Sequence, residues 1–183
     1  MTREQALAEV KKRVANRNLL KHMLAVEAIM RELAARFGED QEVWGLAGLV
    51  HDIDYDQTAA EPDRHALVGA EILEQLGVPA QIVYAVKAHN ERLGFPRQRR
   101  LDKALYAADP LSGLIVAAAL IHPDKKLASI TTDFVLNRFG EKGFARGANR
   151  EQIASCTEFG LELRDFIDLG LRGMQGISAE LGL

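Results

Sequence analysis

The chain is poor in the residues that most directly announce a scaffold or a surface. It has one cysteine, Cys156, so no internal disulfide framework can form, and such sparing use is expected of a reducing cytosol. Aromatic residues are 6% of the chain, too few for rows of base-stacking platforms. Neither sign of charge prevails: 23 Lys and Arg against 26 Asp and Glu leave −3. That argues against a basic protein that coats nucleic acid. Long apolar runs are missing too. The most apolar stretch, 114–121, is far shorter than the roughly 20 residues of a membrane span. Residues 1–12 mix polar and charged side chains with alanine and lack the core of a signal peptide. A soluble cytoplasmic protein with no membrane contact is the expectation.

What is present is an apolar fraction of 48% over 183 residues, enough for the core of one domain, and five histidines. Helical spacing dominates. His22, Val26, Ile29, Leu33 and Phe37 share one face of a helix over 18–37, with Gly38 as its stop. A second helix over 40–50 buries Val43, Leu46, Ala47 and Val50 and carries His51-Asp52 at its end. Residues 52–63 hold five carboxylates and no base, and read as a loop. Helices follow over 64–76 and 79–89, then a loop at Gly94 and Pro96. The apolar stretch 101–121 is helical on both sides of Asp109-Pro110, where proline forces a bend or a restart. Shorter helices are expected at 130–139, 150–158 and 161–180. No segment alternates with the period of a strand, so the fold class is all-α, with seven to nine helices.

Four histidines stand on or at the end of these helices. A neutral imidazole is the commonest metal ligand, and a carboxylate offsets the charge of a divalent ion. Taken alone, any one of them reads as an ordinary hydrogen-bonded histidine. The adjacent pair His51-Asp52 places a nitrogen donor and a carboxylate at one helix end. Asp109 lies within the apolar 107–111 segment, where a carboxylate is costly unless paired or bound to a cation.

The order His22, His51-Asp52, Asp109, each on a predicted helix, resembles the HD-domain superfamily of metal-dependent phosphohydrolases. The resemblance spans about residues 18–121. It implies one domain over 1–183, an HD-type helical bundle with the helices of 124–183 packed on its metal-binding core. It implies one ion held by His22, His51, Asp52 and Asp109. Superfamily members with two ions insert two more histidines, and His65 and His89 stand in that interval. The resemblance therefore implies a second ion held by His65 and His89, with Asp52 bridging and acting as the catalytic carboxylate. His122, beside Pro123 in a turn, stays outside the set. The donors suit one or two divalent ions among Mn, Fe, Ni, Mg and Zn.

Such a cluster suits hydrolysis of a phosphoester or phosphoanhydride by a metal-activated water, with no serine or cysteine nucleophile. Asp52, Asp54 and Asp56 are spaced like a calcium loop, but Gln57 and Asp63 occupy the positions that need Gly and Glu. Asp54 or Asp56 remains a candidate outer base. The 89–96 stretch resembles the HD-GYP branch, which hydrolyses cyclic dinucleotides. It departs from that branch in having Asn90 for a second histidine and a shortened loop. The dNTP-hydrolysing branch has a lysine soon after its His-Asp, and Ile53-Asp54-Tyr55 offers none.

Between Lys87 and Lys103 six bases face two acids, a local +4. This segment follows His89, so Lys87, Asn90, Arg92 and Arg97 are candidate contacts for a phosphorylated substrate. Arg146, Asn149 and Arg150 lie in a later loop and are further candidates to cap the pocket. The expected substrate is a small phosphorylated compound, with a nucleotide leading. Two alternatives remain open: a mixed-valent di-iron oxygenase of the same superfamily, and a non-catalytic nucleotide-binding module that keeps its metal.

Overall fold

The computed structural model describes residues 1–141 and 143–183. Among these the chain forms α1 (Arg3–Arg13), α2 (Arg17–Phe37), α3 (Gln41–Val50), α4 (Tyr55–Thr58), α5 (Leu67–Gln75) and α6 (Ala80–His89). Then come α7 (Arg100–Ile121), α8 (Thr132–Gly140), α9 (Arg150–Ala154), α10 (Leu163–Gly176) and α11 (Ser178–Leu181), and no strand is seen among the described residues. The all-α expectation holds. Eight helices have nine or more residues; the other three are pieces of four or five.

Side-chain caps open five of the eleven helices among the described residues. Thr2 and Gln5 form a capping box on α1, a helix the apolar pattern had not announced. Asn16 accepts from the amides of Asn18 and Leu19 to open α2, and Asp40 does the same for α3. Each such cap contributes about 1 kcal/mol. Gly38, left-handed at φ 68°, turns the chain so that α3 folds back along α2.

The two long helices α2 and α7 form the middle of the bundle. α3, α7 and α10 pack on α2, while α6, α8 and α9 pack on α7. α3 can close on α2 because Gly48 has no side chain: a Cβ there would lie 2.8 Å from the Glu27 backbone. α7 is long and apolar enough to cross a membrane. Here Leu105, Leu111, Leu114 and Ile115 are fully buried in the core, while Leu120 and Ile121 at its end are exposed.

α7 runs unbroken through Pro110, where the sequence predicts a bend or a restart. Proline lacks the amide hydrogen that would serve the carbonyl of Tyr106 four residues earlier. The Gln152 side chain on α9 supplies it instead, donating from Nε2 to the Tyr106 carbonyl oxygen at 2.7 Å. The helix over 64–76 also differs, since it begins only at Leu67. Residues 62–66 form turns, and Ala66, with φ 70°, bends the chain ahead of α5.

Candidate metal centre

Five separate stretches deliver the six residues singled out for metal binding to one place. His22 lies in the second turn of α2, His51 caps the C-terminus of α3, and Asp52 follows it. His65 sits in the turn before α5, His89 ends α6, and Asp109 lies in the middle of α7. His51 is 0%, His89 5% and Asp52 7% exposed, whereas the His22 and Asp109 side chains are 25% and 29% exposed and form the open side of the cluster.

Asp52 divides the cluster in two. Its Oδ2 lies 3.6 Å from His22 Nε2 and 3.5 Å from His51 Nε2. Its Oδ1 lies 3.3 Å from His65 Nε2 and 3.4 Å from His89 Nε2. Asp109 Oδ1 belongs to the first half, 3.2 Å from His22 Nε2 and 4.0 Å from His51 Nε2. Donor atoms of His22, His51 and Asp109 all fall within 4.8 Å of one another, as do those of His51, Asp52 and His89.

The opposite face of each ring fixes which nitrogen carries the proton. His51 Nδ1 donates to the Gly48 carbonyl at 2.8 Å, and His89 Nδ1 to the Val86 carbonyl at 2.6 Å. A carbonyl can only accept, so both protons sit on Nδ1. His22 Nδ1 donates to Ser112 Oγ at 2.9 Å, because that hydroxyl's own hydrogen goes to the Asp109 carbonyl. His65 Nδ1 donates to Asp54 Oδ1 at 3.1 Å. All four Nε2 lone pairs therefore point inward. His22 and His51 face each other at 3.2 Å, as do His65 and His89. Two lone pairs at that distance need a cation or a proton between them. The donor set thus fits divalent ions by its own chemistry.

Electrostatics agree. Burial pushes the His51 ring down to about 4, so it is neutral and free to ligate at pH 7. Burial opposes charge on His65 as well, but its hydrogen bonds to Asp52 and Asp54 outweigh that and lift it to about 9. Without a cation this ring holds a proton that an ion must displace. Burial also works against the Asp52 carboxylate, yet the surrounding imidazoles, His51 first, hold it well below the usual range.

Above the cluster lies a cavity of about 540 Å³, whose lining includes Asp52, Tyr55, Asn90, Arg92, Tyr106 and Gln152. Of the four substrate contacts expected from sequence, only Asn90 and Arg92 border it. Asn90 is already engaged: its Nδ2 donates to the carbonyls of Pro62 and His65 at 2.9 Å, and its Oδ1 accepts from the Arg92 amide. It holds the turn that presents His65. Lys87 is turned away, with Nζ 3.0 Å from Glu74 Oε1. Arg97 lies flat on the Tyr106 ring, its guanidinium 3.7 Å from the centroid, and so stands one residue behind the wall.

The rest of the basic segment is also occupied. Arg100 rests on Phe37, and Lys103 points to the Glu158 carbonyl. Asp56 is not an outer base of the site, for it accepts from the amides of Ala15 and Asn16 at the start of α2. Arg150 spends its guanidinium on backbone carbonyls, including those of Phe139, Phe144 and Ala148, and Asn149 caps α9. Cys156 is fully buried and its thiol is pushed up to about 11 by burial, so it offers no nucleophile. Tyr55, Tyr106, Ser112 and Gln152 went unnoticed in the sequence, which carries no local signal for them.

The HD domain family model matches residues 19–119 of the chain. Similar curated proteins are named Ribonuclease Y. That of Oleidesulfovibrio alaskensis is 27% identical over 163 residues, covering 88% of this chain and 30% of its own length. Those of Lawsonia intracellularis and Desulfotalea psychrophila are 34% and 36% identical, covering 56% and 52% of this chain and 20% and 18% of their own lengths. The chain therefore spans less than a third of the relatives it matches. No solved structure matches it. The family match and the donor set together support a divalent-metal-dependent hydrolase, and with the match covering more than half of its length, the chain belongs to the HD-domain family.

Proposed function

We propose that the chain is a metal-dependent phosphohydrolase that cleaves a nucleotide phosphoester with two divalent ions as cofactors. The observation that carries this is the division of Asp52: one oxygen faces His22 and His51, the other His65 and His89. A single carboxylate set in this way can bridge two ions. When bound, such ions supply a water acid enough to attack at neutral pH and positive charge for the phosphoryl oxygens.

The chain's own groups do the rest. Asp52 and Asp109 provide the negative charge that retains cations in a buried place. The four Nδ1 hydrogen bonds orient the imidazoles and aim each Nε2 at the place where an ion would sit. Arg92, exposed and only 3.6 Å from a similarly exposed Asp63, is free to turn to a phosphate at the rim. The relatives' name favours a second reading of the substrate, a phosphodiester of RNA.

Elemental analysis and turnover of nucleoside phosphates after loading with Mn, Fe, Ni, Mg or Zn test the proposal. Asp52→Asn is expected to lower kcat/KM by at least about a hundredfold, because it removes charge from both halves of the cluster. Protein that takes up no divalent ion, or an Asp52→Asn variant of full activity, would overturn it.

A further inference from the structure

Hydrolysis of a phosphoester includes one task that the six candidate ligands do not perform. A departing alcohol oxygen needs a proton, and a donor placed beside it contributes about a hundred- to ten-thousandfold. The ring protons of the four histidines point outward, to Ser112, Gly48, Asp54 and Val86. Asn90 and Gln152 are amides already donating to backbone carbonyls. Arg92 carries a guanidinium, which does not give up its proton in a protein, and Glu91, exposed to solvent, is an acceptor. Among the described residues that line the 540 Å³ cavity, two phenols remain, Tyr55 and Tyr106.

Their settings differ. Tyr55 is 43% exposed and edge-on to the His65 ring, where solvent water can replace its hydroxyl. Tyr106 is 5% exposed and stands three residues before Asp109, so the two side chains adjoin on one face of α7. Its place is fixed twice. Gln152 donates to its carbonyl, and the Arg97 guanidinium lies flat on its ring. Burial first, then the Glu91 carboxylate, raise its pKa, so the phenol keeps its proton at neutral pH. An alkoxide is far more basic than a phenolate, so transfer to it still runs downhill. The Arg97 cation over the ring offsets the negative charge that the transfer leaves behind.

We infer that the Tyr106 hydroxyl delivers the proton to the leaving oxygen, which makes Tyr106 a catalytic residue. A water oxygen bonds to phosphorus, and one proton of that water passes to solvent. The ester P–O bond breaks with its electron pair on the leaving oxygen, which takes the phenol's proton. The phenolate recovers a proton from solvent, so ester and water give alcohol and phosphate. The inference rests on the phosphohydrolase reading.

Tyr106→Phe tests it, because the variant keeps the ring and loses only the hydroxyl. Metal-loaded wild type and variant are compared on uridine 5′-phosphate, phenyl phosphate and p-nitrophenyl phosphate, whose leaving oxygens fall in basicity in that order. The ratio of kcat/KM for uridine 5′-phosphate to that for p-nitrophenyl phosphate is expected to fall at least about tenfold in the variant. Phenyl phosphate should lie between, and metal content by elemental analysis should match. Calorimetry uses the uridine phosphonate in which a methylene replaces the bridging oxygen. It should bind both proteins alike, since it offers the phenol nothing to protonate. Equal losses on all three esters, or no loss on any, would overturn the inference and leave the phosphohydrolase reading standing. So would a variant that binds the phosphonate more weakly in proportion to its lost activity, for Tyr106 would then serve binding alone. If wild-type protein hydrolyses none of the three with any ion, both fall together.

Discussion

Asp54 is 1% exposed and faces away from the cavity, yet three donors converge on its two oxygens. His65 Nδ1 reaches Oδ1, and the amides of Ala66 and Gly69 reach Oδ2 at 2.8 and 2.9 Å. An asparagine there has one acceptor oxygen. Satisfying the two amides would turn its NH2 toward His65 Nδ1, which must then accept, moving the ring proton to Nε2. A ring protonated on Nε2 cannot ligate. Asp54→Asn is therefore expected to weaken one of two ion-binding steps by about 10- to 100-fold and leave the other near wild type. Titration calorimetry of metal-free protein separates the steps, and two unchanged steps would remove Asp54 from the site.

The candidate ligands were readable from residue type and order, because a metal site needs His and Asp wherever they are delivered, and the fold brings all six together. The residues that orient them were not readable. In the sequence Asp54 is a candidate outer base, whereas the bend at Ala66 brings His65 back onto it and makes it the carboxylate that orients that ring. Charge counting failed for a related reason. The sum over 87–103 is +4, but a sum has no direction, and Glu74 and the Tyr106 ring claim Lys87 and Arg97.

At the level of helices, the approach of α3 to α2 sets the spacing of the first half of the centre. Gly48 is the contact, and its carbonyl also accepts from His51 Nδ1. Gly48→Ala sets two effects against each other. Alanine is favoured in a helix by about 1 kcal/mol, whereas forcing a methyl group into a closed contact typically costs about 1–3 kcal/mol. With Glu27 backbone atoms 2.8 Å from the new Cβ, rigid on their own helix, the second effect prevails. A net loss of up to about 2 kcal/mol in urea unfolding is expected, along with weaker metal retention as His51 moves from His22. A more stable Gly48→Ala protein would show that the helices have room to spare. The helices read over 18–37 and 40–50 start within a residue of α2 and α3, although the caps that set those starts, Asn16 and Asp40, went unread. Continuity through Pro110 was not legible, because the group that rescues the Tyr106 carbonyl lies on α9, 46 residues further on.

At the centre α2, α3, α6, α7 and the 51–66 segment all meet through polar atoms. The apolar core alone brings them there, and it brings four lone pairs into opposition at 3.2 Å with two carboxylates beside them. Metal-free protein relieves this only by holding protons, as His65 does. Ions held as proposed would replace the repulsion with bonds that tie five stretches together, while the unfolded chain has no such cluster. Ions that bind only the folded state stabilise it by about 2.7 kcal/mol at a hundred times Kd. For a chain of this size each kcal/mol moves Tm by about 2–4 °C. Removing the ions with excess EDTA should therefore lower Tm by about 5–10 °C, and adding back the retained metal should restore it. Asp52→Asn, already deprived of the bridging charge, should lose much less on chelation than wild type. Calorimetric scans of the two proteins with and without EDTA make the comparison, and equal shifts would mean that Asp52 does not hold the ions whose removal is being measured.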